Sequence, residues 1–148
     1  MENKYDKLKL KNQLCFPIYL CSKELVRKYN NVLKEYDLTY TQYIVMLYLW
    51  EINEVNVSTL GSAMLLDSST LTPLLKKMEN KGYIIRERLQ KDERNLIIKL
   101  TKKGILLKDK VLDIPDKISK CLNLNNQEAE ELYKLLYKSL LNLGKEDK

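Results

Sequence analysis

Between Leu10 and Tyr36 apolar residues return every three or four positions, at Leu14, Ile18, Cys21, Leu25, Tyr29, Val32 and Tyr36. That period predicts a helix. A second stripe beside it carries Cys15, Tyr19, Val26 and Leu33. The apolar surface is therefore wider than one covered face and suits a core or a dimer interface. Cys21 lies on the first stripe and reads as a core filler. Pro17 must occupy the opening turns of the helix or kink it. Thr39 or Thr41 is placed to cap a second helix running through Tyr43, Ile44, Leu47 and Leu49 to Glu51. The stretch NVSTLGSAMLLDSSTLTPLLKKMENKG then reads as two short helices joined by a tight turn. One lies near Val57–Leu65. The other spans roughly Ser69–Asn80, capped by Asp67 or Ser68 and ended at Gly82.

At Gly82 the period changes from 3.6 to 2. Tyr83–Arg88 and Asn95–Leu100 are strand-like and flank the charged turn LQKDER, which predicts a hairpin with a charged tip. Two amphipathic helices complete the chain: Thr101–Leu122, interrupted at Pro115, and Asn125–Leu143. Leu132, Leu135, Leu136, Leu140 and Leu143 give the last one an apolar face that needs a partner. The expected fold class is mainly α with a small β-hairpin wing (α+β). Helix, turn, helix and a two-stranded wing is the layout of a winged helix-turn-helix.

Composition narrows the chemistry. A chain of 148 residues, 45% hydrophobic and 31% charged, fits one globular domain with its own core. No apolar run approaches the roughly 20 residues of a membrane span, and the basic, polar N-terminus has no signal-peptide pattern, so no membrane partner and a cytoplasmic location are expected. Histidine is absent, which removes the commonest general base and metal ligand. No glycine-rich phosphate loop is present. Cys15, Cys21 and Cys121 lack metal-ligand spacing and an even-numbered disulfide pattern, and read as free thiols. No metal, no cofactor and no enzymatic activity are expected.

Charge placement points to a partner. From Lys76 to Lys103 there are ten basic residues against four acidic ones, which is the whole of the chain's net +6. A solvated lysine-rich surface would spread that excess; concentrated here, it is a footprint for phosphates. In a winged helix-turn-helix the second helix enters the major groove with its leading residues at base edges. Those residues are SSTLT, with Lys76 and Lys77 following where they reach the backbone. At the wing tip Arg94 suits a narrow minor groove, and Asp92 would orient it.

The run DSSTLTPLLKKMENKGYIIRERLQKDERN, then IIKLTKKG, resembles the signature region of the MarR family of dimeric winged-helix regulators. CFPIY near the N-terminus is similar to its organic-hydroperoxide-sensing (OhrR-like) subgroup. The likeness runs from about Leu14 to Gly104. It implies a homodimer on a pseudo-palindromic double-stranded DNA operator, with repression as the family's habit. It assigns residues 39–103 to the DNA-binding region, and 8–36 with 104–148 to an intertwined dimerisation region. It puts Ser68, Ser69, Thr70, Thr72, Lys76 and Lys77 on the recognition helix, and Arg86, Arg88, Asp92 and Arg94 in the wing. It makes Cys15 the redox-sensing thiol with an organic hydroperoxide as effector, Tyr29 and Tyr40 its supporting hydroxyls, and Cys121 a possible resolving thiol; helical spacing adds Tyr19, four residues after Cys15, as a third supporting residue.

Helix geometry adds one constraint. Fourteen residues of continuous helix separate Cys15 from Tyr29 by about 21 Å, so a contact between them requires an antiparallel partner subunit. The first turn also favours anionic sulfur, through the helix dipole. Two other readings stay open: a regulator answering a small aromatic or phenolic ligand, with Cys15 incidental, and a thiol peroxidase in which Cys15 turns over.

Overall fold

The computed structural model describes residues 3–88 and 96–144. Seven α-helices and three strands are present among them: α1 Cys15–Leu33, α2 Tyr40–Ile52, β1 Glu54–Asn56, α3 Val57–Met64, α4 Ser68–Asn80, β2 Ile84–Arg88, β3 Leu96–Leu100, α5 Lys102–Lys110, α6 Ile114–Leu122 and α7 Asn126–Leu143. The chain divides into two compact units, residues 1–112 and 113–148.

Short polar side chains set the helix starts. Thr39 closes a capping box with Gln42 at the head of α2, and Asn56, Asp67 and Thr101 cap α3, α4 and α5. The end of α4 follows from its glycine. Gly82 takes φ +75°, its N–H reaches the Glu79 carbonyl at 2.8 Å, and the Tyr83 N–H reaches that of Met78 at 3.1 Å. These two bonds satisfy carbonyls that the helix end leaves open, and they turn the chain into β2.

The first unit is built around α2. Tyr43, Val45, Met46 and Leu49 are all buried, as are Leu33 of α1, Leu60 of α3, Leu71, Leu75 and Met78 of α4, Ile84 of β2, Ile98 of β3 and Leu107 of α5. The sheet is antiparallel in the order β1-β3-β2, with Val55 and Arg86 on either side of Ile98. The hairpin therefore gains a third strand that sequence patterning did not show. β1 has only three residues, too few to display alternation.

Three further expectations change. The first helix does not begin near Leu10: 3-10 turns at Asp6–Leu8 and Leu10–Asn12 precede α1, and Pro17 falls in its first turn, where a missing N–H costs nothing. The break expected at Pro115 comes earlier. α5 ends at Lys110, and Pro115 sits in the first turn of α6. Cys21 is exposed rather than buried, because Leu33 is the only buried residue of α1. Most of that wide apolar surface, Leu14, Ile18, Tyr19 and Leu20 included, is uncovered in one chain.

In the second unit α6 ends on Asn123 in the left-handed conformation, and Asn125 with Glu128 forms a capping box for α7. α7 buries none of its residues. Leu132, Leu135, Leu136, Leu140 and Leu143 remain exposed, beside a Tyr133–Tyr137 ring pair 4.6 Å apart.

Candidate nucleic-acid interface and thiol site

α3, the turn at Leu65–Asp67, and α4 form the helix-turn-helix. Leu65 at the turn is left-handed and its N–H reaches the Ser62 carbonyl at 3.3 Å. α4 turns Leu71, Leu75 and Met78 inward, leaving Ser68, Ser69, Thr70, Thr72, Lys76 and Lys77 exposed. All six expected recognition-helix residues thus lie on the open side of one helix. At its head the Asp67 carboxylate accepts from Ser69 Oγ at 2.6 Å and from the Thr70 backbone N–H at 2.8 Å. The Ser69 hydroxyl first, then the Thr70 N–H, hold the Asp67 carboxyl below its ordinary value.

The wing is tied down from two sides. Arg86 Nε donates to Glu79 Oε2 at 2.7 Å and the Arg86 backbone N–H donates to Glu79 Oε1 at 3.2 Å. The pair is partly buried, so the Arg86 guanidinium binds α4 rather than reaching outward. Lys99 on β3 bridges Glu87 at 2.7 Å and Glu54 at 3.6 Å, across all three strands. The Glu87 hydrogen bond, then its charge, raise the Lys99 ammonium above its usual value. Arg88 is exposed at the end of β2. Asp92 and Arg94 lie outside the described residues.

Thr101 joins wing to helix. Its hydroxyl donates to the Gly82 carbonyl at 2.6 Å while accepting from the Gly104 N–H at 3.0 Å. The Trp50 indole N–H then reaches the Gly104 carbonyl at 2.9 Å.

Cys15 is the first residue of α1 and is exposed. Tyr19, one turn on, is 59% exposed. Tyr29 and Tyr40 meet: their rings are 4.4 Å apart and tilted by 31°, and Tyr43 packs on Tyr29 at 5.8 Å. The Tyr40 backbone N–H donates to Asn30 Oδ1 at 2.7 Å, fixing the head of α2 against α1. Burial raises all three phenols, Tyr43 to about 12, so they stay protonated donors at neutral pH. Sequence reasoning reached Tyr29 and Tyr40 but not Tyr43, although Tyr43 follows Tyr40 at helical spacing. Since α1 is continuous, Cys15 and the tyrosine pair sit at opposite ends of it. Cys121 is exposed, and its thiol donates to the Lys117 carbonyl at 3.4 Å. It lies in the second unit and Cys15 in the first. Among the described residues no cluster of acids and thiols is arranged to hold a metal ion, and no helix is long and apolar enough to cross a membrane.

A family model for the transcriptional regulator SarA/Rot matches residues 27–111. The chain is also 47% identical over 135 residues to the organic hydroperoxide resistance transcriptional regulator of Bacillus subtilis, covering 91% of this chain and 90% of that one. The chain belongs to the SarA/Rot family of MarR-like winged-helix transcriptional regulators. The regulator SarZ of Staphylococcus aureus (strain USA300) is 47% identical over 132 residues, 89% of this chain and 86% of its own. Among solved structures, reduced AbfR of Staphylococcus epidermidis bound to DNA superposes with a TM-score of 0.78 at 38% identity, covering 95% of this chain and 99% of that one. These SarA/Rot and MarR-like relatives are regulators rather than enzymes, and the peroxidase reading of Cys15 is set aside.

Proposed function

We propose that this SarA/Rot-family chain is a homodimeric DNA-binding repressor that senses organic hydroperoxides through Cys15. The observation carrying the sensing claim is the arrangement along α1. An exposed thiol opens the helix, and a contacting pair of protonated tyrosines stands near its far end. Two such helices running antiparallel across a two-fold axis bring each thiol to the other subunit's phenols, as about 21 Å of helix demands. The uncovered apolar surfaces of α1 and α7 supply the area for that pairing. Residues 8–36 and 104–148 are its dimerisation region, and 39–103 its DNA-reading region. Ser68, Ser69, Thr70, Thr72, Lys76 and Lys77 face the major groove, with Arg88, Asp92 and Arg94 serving the wing.

In the reduced dimer the phenols of Tyr29 and Tyr40 donate to the sulfur, and Tyr19 shields it. The thiolate attacks the distal oxygen of a hydroperoxide; the S–O bond forms as the O–O bond breaks, leaving a sulfenic acid and an alkoxide that takes a proton from water to become the alcohol. An altered sulfur no longer accepts the same hydrogen bonds. The helices carrying the two reading heads then shift, and the spacing required by a palindromic operator is lost. Cys121 is the candidate thiol for capturing the sulfenic acid as a disulfide.

A duplex enriched from a random-sequence library supplies the DNA, and cumene hydroperoxide the oxidant. One equivalent per subunit is expected to lower wild-type affinity at least about tenfold, the span of a modest allosteric coupling. Cys15→Ser should bind the duplex and ignore the oxidant. Wild-type protein that keeps its affinity while mass spectrometry shows Cys15 fully oxidised would refute the sensing mechanism.

A further inference from the structure

A hydroxyl group has one proton to donate, and in Ser69 that proton is already committed. The Asp67 carboxylate 2.6 Å away can only accept, because the hydrogen bonds from Ser69 and Thr70 lower its pKa and keep it ionised at neutral pH. Ser69 Oγ must therefore be the donor in this contact, and it faces outward with lone pairs alone. Asp67, also exposed, presents nothing but acceptors beside it. The carboxylate in turn is fixed by the Thr70 N–H at 2.8 Å, so the arrangement belongs to the cap of α4 and not to a freely turning side chain.

This polarity restricts what the head of α4 can touch on DNA. Phosphate oxygens accept and cannot donate, so Ser69 has nothing to offer them. On the major-groove edge guanine presents N7 and O6, and thymine O4, all acceptors. The donors there are the exocyclic amino groups, N6 of adenine and N4 of cytosine. Given that α4 enters the major groove, we propose that Ser69 is a specificity-determining residue that accepts a hydrogen bond from an adenine or cytosine amino group. It reads which strand of a base pair carries the amino group and makes no phosphate contact. The neighbouring carboxylate reinforces the choice, since it repels phosphate and rewards a donor. Lys76 and Lys77, farther along the helix, are left to bind the backbone.

The test uses reduced full-length protein and a duplex selected from a random-sequence library. At each enriched adenine or cytosine the amino group alone is deleted, with purine replacing adenine or 2-pyrimidinone replacing cytosine. Affinities are then measured for wild type, Ser69→Ala and Ser69→Thr. At one position per half-site, amino deletion should cost the wild type about 2- to 12-fold, the range of one net hydrogen bond. Ser69→Ala should start weaker by a similar factor and be indifferent to that same deletion, while Ser69→Thr, which keeps the hydroxyl, should respond as wild type does. If wild type and Ser69→Ala respond equally to amino deletion at every position, the assignment is wrong. It is equally wrong if the Ser69→Ala loss couples instead to a methylphosphonate that neutralises one phosphate. Either result would leave the DNA-binding function standing. Failure of the library to enrich any sequence would overturn that function, and this inference with it.

Discussion

A methyl group on Gly104 would lie 2.1 Å from the Tyr83 carbonyl oxygen, a contact no side-chain rotation can relieve. At Gly82 the added carbon would meet only a lysine methylene at 3.7 Å, yet the backbone there is left-handed. One glycine is needed for space, the other for conformation. Gly104→Ala should lower unfolding free energy by about 1–3 kcal/mol through overpacking, and more if the wing root cannot move. Gly82→Ala should cost about 1–2 kcal/mol, the penalty of a left-handed alanine. Urea denaturation measures both. The Gly104 variant should also change Trp50 emission in the folded state, because its carbonyl holds the indole. Gly82 was legible as a helix terminator from its neighbours. Gly104 was not, because the carbonyl that excludes a side chain belongs to Tyr83, far back in the sequence just before β2.

The elements themselves were readable wherever a short polar residue precedes a periodic run. Of the candidate caps Thr39 or Thr41 and Asp67 or Ser68, Thr39 and Asp67 serve; Thr101 and Asn125, at the expected boundaries, cap the starts of α5 and α7 in the same way. What periodicity missed is what one element does to another. Arg86, expected in the wing, lies on β2 and pairs with Glu79, seven residues earlier on α4. No pattern in the sequence separates a cation paired with its neighbour from one offered to a ligand. The ion pair ties the recognition helix to the wing. A double-mutant cycle of Glu79→Ala and Arg86→Ala should show a coupling of about 1 kcal/mol in stability, toward the upper end for a partly exposed pair. Glu79→Ala alone should weaken DNA binding, although it removes a negative charge near the DNA. If Glu79→Ala binds DNA more tightly, electrostatics outweighs rigidity and the tie is dispensable.

For the molecule as a whole, uncovered apolar surface is the leading fact. α7 has no buried residue and α1 has one, yet both carry continuous leucine and tyrosine faces. A homodimer would cover them. Leu136→Asp combined with Leu140→Asp should turn a dimer into a monomer in sedimentation equilibrium, and should cut operator affinity by removing the second reading head. If the double variant sediments like wild type, the dimer uses another face. The sequence alone suggested a first helix buried in a core or a dimer interface; the apolar surface is there, and in one chain most of it is uncovered. The ambiguity of Cys15 has the same origin. The tyrosines proposed to support it meet near the far end of its helix, so the proposed contact is not one that a single protomer makes.

Trp50 is the chain's one tryptophan. Its ring meets Tyr43 edge-on at 6.4 Å, Tyr43 touches Tyr29, and Tyr29 touches Tyr40. Light absorbed by these phenols therefore has a single nearby emitter to which it can pass, and that emitter is hydrogen-bonded to the root of the wing. The unlabelled protein thus carries its own optical gauge, with antennae at the tyrosine pair assigned to the thiol and a lamp beside the DNA-reading module.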